Sequence, residues 1–229
     1  MIISVGGAIQ DRFMDPLHFS IALGPLAVYL LLLALINLSS RPFLTTGARD
    51  TAALGVAVSG FVIAGPMELF MPEAAATHFG PWVWLMLLAF YGLCLTLLVL
   101  LVRPRLVIYN MTPDQIRPIL AELAKDMDED ARWAGETLVM PHLGVHLHVE
   151  SFAPLRNVQL IANGSQQNYG GWRQLEIGLY RILRESKALP NPYGFFLMSL
   201  SMIIGVMVMV WMLADREGVA QALGEMLRR

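Results

Sequence analysis

The sequence has little charge and almost no cysteine. Only 15% of its 229 residues are charged and 56% are hydrophobic, whereas an average soluble domain has roughly 25% charged residues. We therefore expect much of its apolar surface to face lipid. Its single cysteine, Cys94, lies inside an apolar run, which excludes an intrachain disulfide framework and a cysteine-rich metal site.

An excess of basic charge is also missing. The formal net charge is -2, and the polar region 103–190 carries ten basic and ten acidic side chains. Nucleic-acid binding requires a basic face, so we expect no nucleic-acid partner. No basic segment precedes the first apolar run and no small-x-small cleavage site follows it, which predicts a retained membrane span rather than a signal peptide.

Four long apolar runs, at 16–40, 51–71, 81–102 and 191–214, account for the hydrophobic excess. The first run of about 25 residues would extend roughly 37 Å as a helix, more than the ~30 Å hydrocarbon core of a bilayer. The sequence therefore predicts a membrane α-helical protein with four transmembrane helices, three of them within residues 16–102.

The terminal segments flank these spans and are more polar. Residues 1–15 form a lead-in with no structural prediction. The tail 215–229 has apolar residues at helical spacing, which fits an amphipathic helix on the membrane surface or a frayed chain end.

The polar region 103–190, between the third and fourth spans, has the pattern of a small soluble domain. A β-branched and aromatic run after Arg105 predicts a strand, and Thr112 begins a capping-box pattern that opens an amphipathic helix. A hairpin, a further strand and a second helix from about residue 172 to 187 follow. The order β-α-β-β-β-α predicts an α+β domain, with an antiparallel sheet and two helices on one face.

The distribution of basic residues predicts the orientation in the membrane. Seven basic residues lie near span ends on the side of the domain: Arg41, Arg49, Arg103, Arg105, Arg181, Arg184 and Lys187. By the positive-inside rule the domain is cytoplasmic and both termini are outside, although the basic C-terminal tail argues weakly against this. We expect a bacterial inner membrane.

Four side chains form the densest set of metal-capable groups: His142, His146, His148 and Glu150. Residues two apart on a strand point to the same side, so His146 and His148 could share a divalent ion such as zinc. The simpler interpretation is an exposed polar strand face, and it is the one we favour. No cofactor is therefore predicted, with zinc as the alternative.

Glu68 is the sole acidic residue within the four apolar runs. A carboxylate inside a membrane is by default a functional candidate, as a proton or cation site. Because Glu68 lies close to the end of its run, it can instead reach the lipid headgroups. His18 is the nearest candidate partner for it in the predicted topology.

No catalytic motif is present, so enzymatic activity is not expected. The leading hypothesis is a structural, scaffold or accessory membrane subunit whose domain mediates association with itself or with a protein partner. The first alternative is a transport or channel component using Glu68. The second is a membrane enzyme or metal-binding protein using His146 and His148.

Overall fold

The computed structural model describes residues 16–69, 80, 82–152, 156–164, 167–216, 218–220 and 224. The lead-in 1–15 and most of the tail's last nine residues lie outside this range. The described helices and strands, in chain order, are α1 (Pro16–Leu38), β1 (Phe43–Thr46), α2 (Gly47–Leu69), α3 (Trp82–Leu101), β2 (Arg105–Tyr109), α4 (Pro113–Met127), β3 (Arg132–Ala134), β4 (Thr137–Met140), β5 (Val145–Phe152), β6 (Asn157–Ala162), α5 (Tyr169–Glu185) and α6 (Tyr193–Ala214).

The strands form one antiparallel sheet in the order β1-β2-β6-β5-β4-β3. Both amphipathic helices pack on the same face of it. Leu120 of α4 and Leu179 of α5 are fully buried in one core with Leu106, Leu147 and Leu160 of the sheet. The predicted α+β character and the placement of two helices on one face are confirmed.

The sheet has six strands rather than the four predicted from the sequence. The run predicted as the first hairpin strand is split, because Gly135 adopts a left-handed φ of 65° and turns β3 back onto β4. The sixth strand is β1, which comes from outside the predicted domain. Its four residues are too few for an alternating pattern to be recognised.

Within the described part of the chain, three helices are long and apolar enough to cross a membrane, over Leu17–Leu38, Gly47–Gly65 and Tyr193–Ala214. In α3 the apolar stretch Leu85–Leu101 is shorter than each of these three helices. The chain therefore combines apolar helices of membrane-spanning length with an antiparallel sheet. The number of spans remains a prediction.

The chain divides into two compact units. The first contains the described residues within 16–28, 56–94 and 200–224. Within it the backbones of α1 and α2 approach closely, because a Cβ on Gly60 would overlap the carbonyl oxygens of Ile21 and Ala22. The Ser201 hydroxyl of α6 donates to the Ala27 carbonyl of α1 over 2.8 Å. Small residues thus allow close helix packing in this unit.

The second unit contains residues 29–55 and 95–199, and with them the whole sheet. Here too small residues face neighbouring helices. A Cβ on Gly55 of α2 would overlap the Leu95 side chain of α3, and one on Gly194 of α6 would lie 2.7 Å from Leu38 of α1. The sheet and the adjoining parts of the four apolar helices therefore form one packed body.

Candidate functional site

The connection between α1 and α2 is part of the sheet. β1 pairs antiparallel with β2, with Leu44 opposite Ile108 and Thr45 opposite Val107. From the sequence, residues 40–50 are only the connection between the first two predicted spans. Strand pairing instead fixes the ends of two apolar helices to the edge of the sheet.

A polar cluster strengthens this attachment, and we name its four residues, Asp50, Thr51, Arg105 and Tyr109, the junction cluster. The Tyr109 hydroxyl donates to the Asp50 carboxylate over 2.6 Å. The Arg105 guanidinium lies 3.8 Å from the same carboxylate and donates to the Thr51 hydroxyl over 3.2 Å. Residues in the first two turns of α2 are thereby bound to β2.

Tyr109 is held as a hydrogen-bond donor. Burial raises the pKa of its phenol, and the hydrogen bond to the Asp50 carboxylate and the charge of Asp50 raise it further. Because the phenol keeps its proton at physiological pH, the contact to Asp50 does not depend on pH in that range. The cluster therefore holds helix and strand together and presents no activated nucleophile.

Two asparagine contacts add to the attachment. Asn110 is buried with a left-handed φ of 62°, and its amide donates to the Ser39 carbonyl over 2.5 Å. Asparagine is one of the few residues that adopt this conformation readily. The second contact joins α1 to the start of α6, where the Asn191 amide donates to the side-chain oxygen of buried Asn37 over 3.2 Å.

The junction buries β2 on both faces. Val107 is 0% exposed and Tyr109 is 6% exposed, although both point away from the core formed with α4 and α5. The burial of this second face of β2 was not predicted from the sequence. The signal was the uninterrupted apolar run from Leu106 to Tyr109, because a strand with one wet face alternates whereas a strand buried on both faces does not.

His142 lies apart from the other three predicted metal ligands. It is in the turn after β4, where its Nδ1 lies 2.8 Å from the buried Asp128 carboxylate. Hydrogen bonding to Asp128 raises the pKa of His142. Burial raises the pKa of Asp128, but hydrogen bonds from His142 and from backbone N–H groups outweigh it, and the pKa of Asp128 lies below its ordinary value.

His146, His148 and Glu150 lie on the sheet face opposite α4 and α5, as their alternation with Val145 and Leu147 predicted. The imidazole of His148 lies 3.9 Å from the carboxylate of Glu136. Among the described residues, no group of three metal-capable side chains is close enough to hold an ion. Metal binding by these residues stays a prediction, with no described geometry in its favour.

The membrane candidates both lie at helix ends. His18 is in the first turn of α1, and Glu68 is in the last turn of α2. The side chain of Glu68 lies outside the described part of the structure, so its role stays a prediction. Its backbone position, in the last turn of α2, is compatible with a side chain that reaches the lipid headgroups.

Comparison of the chain with protein-family models, curated proteins and solved structures yields no match. The geometry is therefore the basis for a functional proposal. The polar site on which we base it is the junction cluster, because its contacts join two elements that are distant in the sequence, α2 and β2.

Proposed function

We propose that this protein is a polytopic membrane protein of scaffold or accessory type, whose α+β domain is cytoplasmic and associates with itself or with a protein partner. Four spans, α1, α2, α3 and α6, hold it in the membrane, with both termini outside. The proposal describes a non-enzymatic protein.

The observation that carries the proposal is the pairing of β1 with β2. A domain joined by flexible linkers would move independently of its membrane anchor. Here the sheet continues into the connection between α1 and α2, and the junction cluster packs against it. A partner bound to such a domain is held in a fixed orientation to the membrane helices, which is the property an assembly subunit needs.

The outer face of α5 offers a surface for association. Ile177 and Tyr180 are 45% and 57% exposed, and Arg184 follows one turn later on the same side of the helix. Tyrosine and arginine are enriched among the residues that dominate binding energy at protein interfaces. We name Ile177, Tyr180 and Arg184 the α5 outer surface.

The test is the state of the full chain extracted from its native membranes in mild detergent. Native mass spectrometry after cross-linking is expected to show a homo-oligomer or a stoichiometric complex. The double variant Ile177→Ser, Tyr180→Ser is expected to reduce the complex by about tenfold, because losing two anchors of this kind costs 1.4 kcal/mol or more.

The matched control is Phe152→Ser, which makes a similar apolar-to-polar change at an exposed position at the end of β5. This variant should associate like the original chain. A single uncomplexed chain at native expression level, or equal loss in the control, would contradict the proposal.

The topology has its own test, with cysteine labelling in a Cys94→Ser background. A cysteine at exposed Ser151 of β5 should react with a membrane-impermeant maleimide only after the membrane is permeabilised. A cysteine replacing Ala75, between α2 and α3, should react in intact cells. The reverse pattern would place the domain outside.

A further inference from the structure

A cavity of about 470 Å³ opens where the C-terminal end of α3 meets the sheet and α5. The end of α3 contributes apolar lining residues, Val99, Leu100 and Val102. Three arginines, Arg103, Arg105 and Arg173, also line the cavity, together with Tyr169. We name it the junction cavity.

Two of the three guanidinium groups of the cavity, those of Arg103 and Arg173, are not neutralised within the described part of the chain. Within the described residues, neither Arg103 nor Arg173 has a hydrogen-bond or ion-pair partner, and both side chains are exposed. The one carboxylate among the described lining residues, Glu176, lies 3.6 Å from Arg49 outside the cavity. The cavity is therefore electropositive.

Arg105 is the arginine of the cavity that the chain already engages. Its terminal nitrogens contact the junction cluster and Gln159. Its Nε is buried and has no hydrogen-bond partner among the described residues, and a buried atom is closed to a ligand in the cavity. The positive charge open to a ligand is therefore that of Arg103 and Arg173.

We propose that the junction cavity binds the phosphate of an anionic phospholipid, with the headgroup between Arg103 and Arg173 and the acyl chains along Val99 and Leu100. Arginine forms charge-assisted, often bidentate hydrogen bonds to phosphate. Basic pockets at the cytoplasmic end of membrane helices have the geometry for such headgroups. This lipid-binding proposal rests on the proposed membrane insertion of α3. It does not rest on the proposed association of the domain with itself or with a partner.

The apolar lining from α3 favours a lipid over a soluble phosphate as the ligand. Free phosphate would use the arginines and leave the α3 side in contact with water. A phospholipid uses both, because its chains continue along the exposed surface of Leu97 and Leu100 while its phosphate meets the guanidinium groups. The combination of arginines and apolar side chains therefore favours an amphipathic ligand.

The experiment measures lipid retention by the full chain in nanodiscs or mild detergent. Native mass spectrometry with equimolar phosphatidylglycerol and phosphatidylcholine is expected to show preferential retention of phosphatidylglycerol. Inorganic phosphate and glycerol phosphate, added in excess, distinguish a soluble ligand from a lipid. Neither is expected to displace the bound lipid.

Arg103→Gln, Arg173→Gln is the test variant, with an expected loss of at least about tenfold in phosphatidylglycerol retention. The matched control is Lys125→Gln, Arg132→Gln, which removes the same charge from exposed positions outside the cavity and should retain lipid normally. Arg103→Lys, Arg173→Lys keeps the charge and should retain lipid at an intermediate level.

Three outcomes would overturn the inference: equal retention of both lipids, unchanged retention in the glutamine variant, or displacement by soluble phosphate. The comparison of the two lipids uses the unaltered chain, so it stands even if the glutamine variant fails to fold. Complex formation is measured in the same samples. A chain that binds lipid without associating would separate this inference from the proposed function.

Discussion

The two ends of the sheet are built from the same alternating backbone but have different surroundings. At the β1–β2 end both faces are covered, by α5 on one side and by the junction on the other. At the β4–β5 end the face opposite the helices carries His146, His148 and Glu150, which are half-buried or exposed. One sheet thus joins the apolar helices at one end and meets solvent at the other.

This difference predicts where a substitution disturbs the whole fold and where its effect stays local. The β1–β2 end has half-buried polar contacts that link distant parts of the chain, so changes there should affect the whole fold. The β4–β5 end has polar side chains with few partners, so changes there should have local effects. Identical substitutions at the two ends test this directly.

The largest effect is expected from placing a charge at the covered end. Val107→Asp would bury a carboxylate at a position with 0% exposure and should cost more than about 4 kcal/mol. We expect little monodisperse protein after extraction, measured by size-exclusion chromatography with fluorescence detection.

Val139→Asp is the control for this prediction. Val139 is on the same sheet face, opposite His146, but is only half-buried, so its substitution should cost about 1 kcal/mol or less. Equal losses in the two variants would mean that the two ends do not differ as described.

The second largest effect is expected at the junction cluster. Asp50→Asn removes the charge that Arg105 and Tyr109 share, and should lower the free energy of unfolding by about 2 kcal/mol. The measurement is thermal or denaturant unfolding in detergent. Glu150→Gln, at an exposed position of β5, is the matched control and should change little.

A double-mutant cycle with Tyr109→Phe refines this prediction. Because the Tyr109 hydroxyl donates to Asp50, the two substitutions should show a coupling of about 1 kcal/mol. Purely additive effects would mean that the hydrogen bond contributes nothing.

A smaller, pH-dependent effect is expected from the pair of Asp128 and His142. The pKa of His142 is raised above 6.5, so its contribution to stability is complete below that value and lost as pH rises through the folded-state pKa. The pKa of Asp128 is lowered below 3.8, so its contribution is present above that value and lost as pH falls through the folded-state pKa.

The unfolding midpoint of the original chain should therefore fall as the pH rises above 6.5. The midpoint of His142→Gln should fall less over the same pH range. His146→Gln removes an imidazole but leaves this pair intact, and should keep the original pH profile. Parallel profiles for the original chain and His142→Gln would contradict the assignment.

The smallest effect is expected from removing metal. Because the described residues contain no group of three metal-capable side chains, the purified chain should contain no stoichiometric zinc by elemental analysis. Chelator should leave its unfolding midpoint unchanged. One zinc per chain, lost in His146→Ala, His148→Ala, would restore the metal hypothesis.

Local patterns predicted much of the fold. The capping pattern at Thr112 is accompanied by the start of α4, where the Gln115 side chain accepts from the Thr112 backbone over 3.1 Å. The apolar stripe with Leu175 and Leu179 faces the core as expected. Such features depend on residues a few positions apart, which a sequence shows directly.

The junction could not be predicted in the same way. Asp50 and Tyr109 are 59 residues apart in the chain, and nothing in the local sequence pairs a carboxylate after a four-residue strand with a distant tyrosine. The apolar run of β2 is the pattern of a strand covered on both faces, but it was predicted only as a strand, and the run does not indicate what supplies the cover. Contacts between distant segments depend on the whole fold.

The position of β1 also constrains how the protein is made. Its residues pair with partners 60 to 66 positions later, from Thr46 with Leu106 to Phe43 with Tyr109, and α2 and α3 are synthesised in between. β1 cannot pair with β2, and the sheet stays incomplete, until α2 and α3 are in place. A fragment beginning at Arg103 would expose an unpaired β2 edge and a bare Val107, both of which promote aggregation. Folding of the sheet is thus tied to the placement of the helices before it.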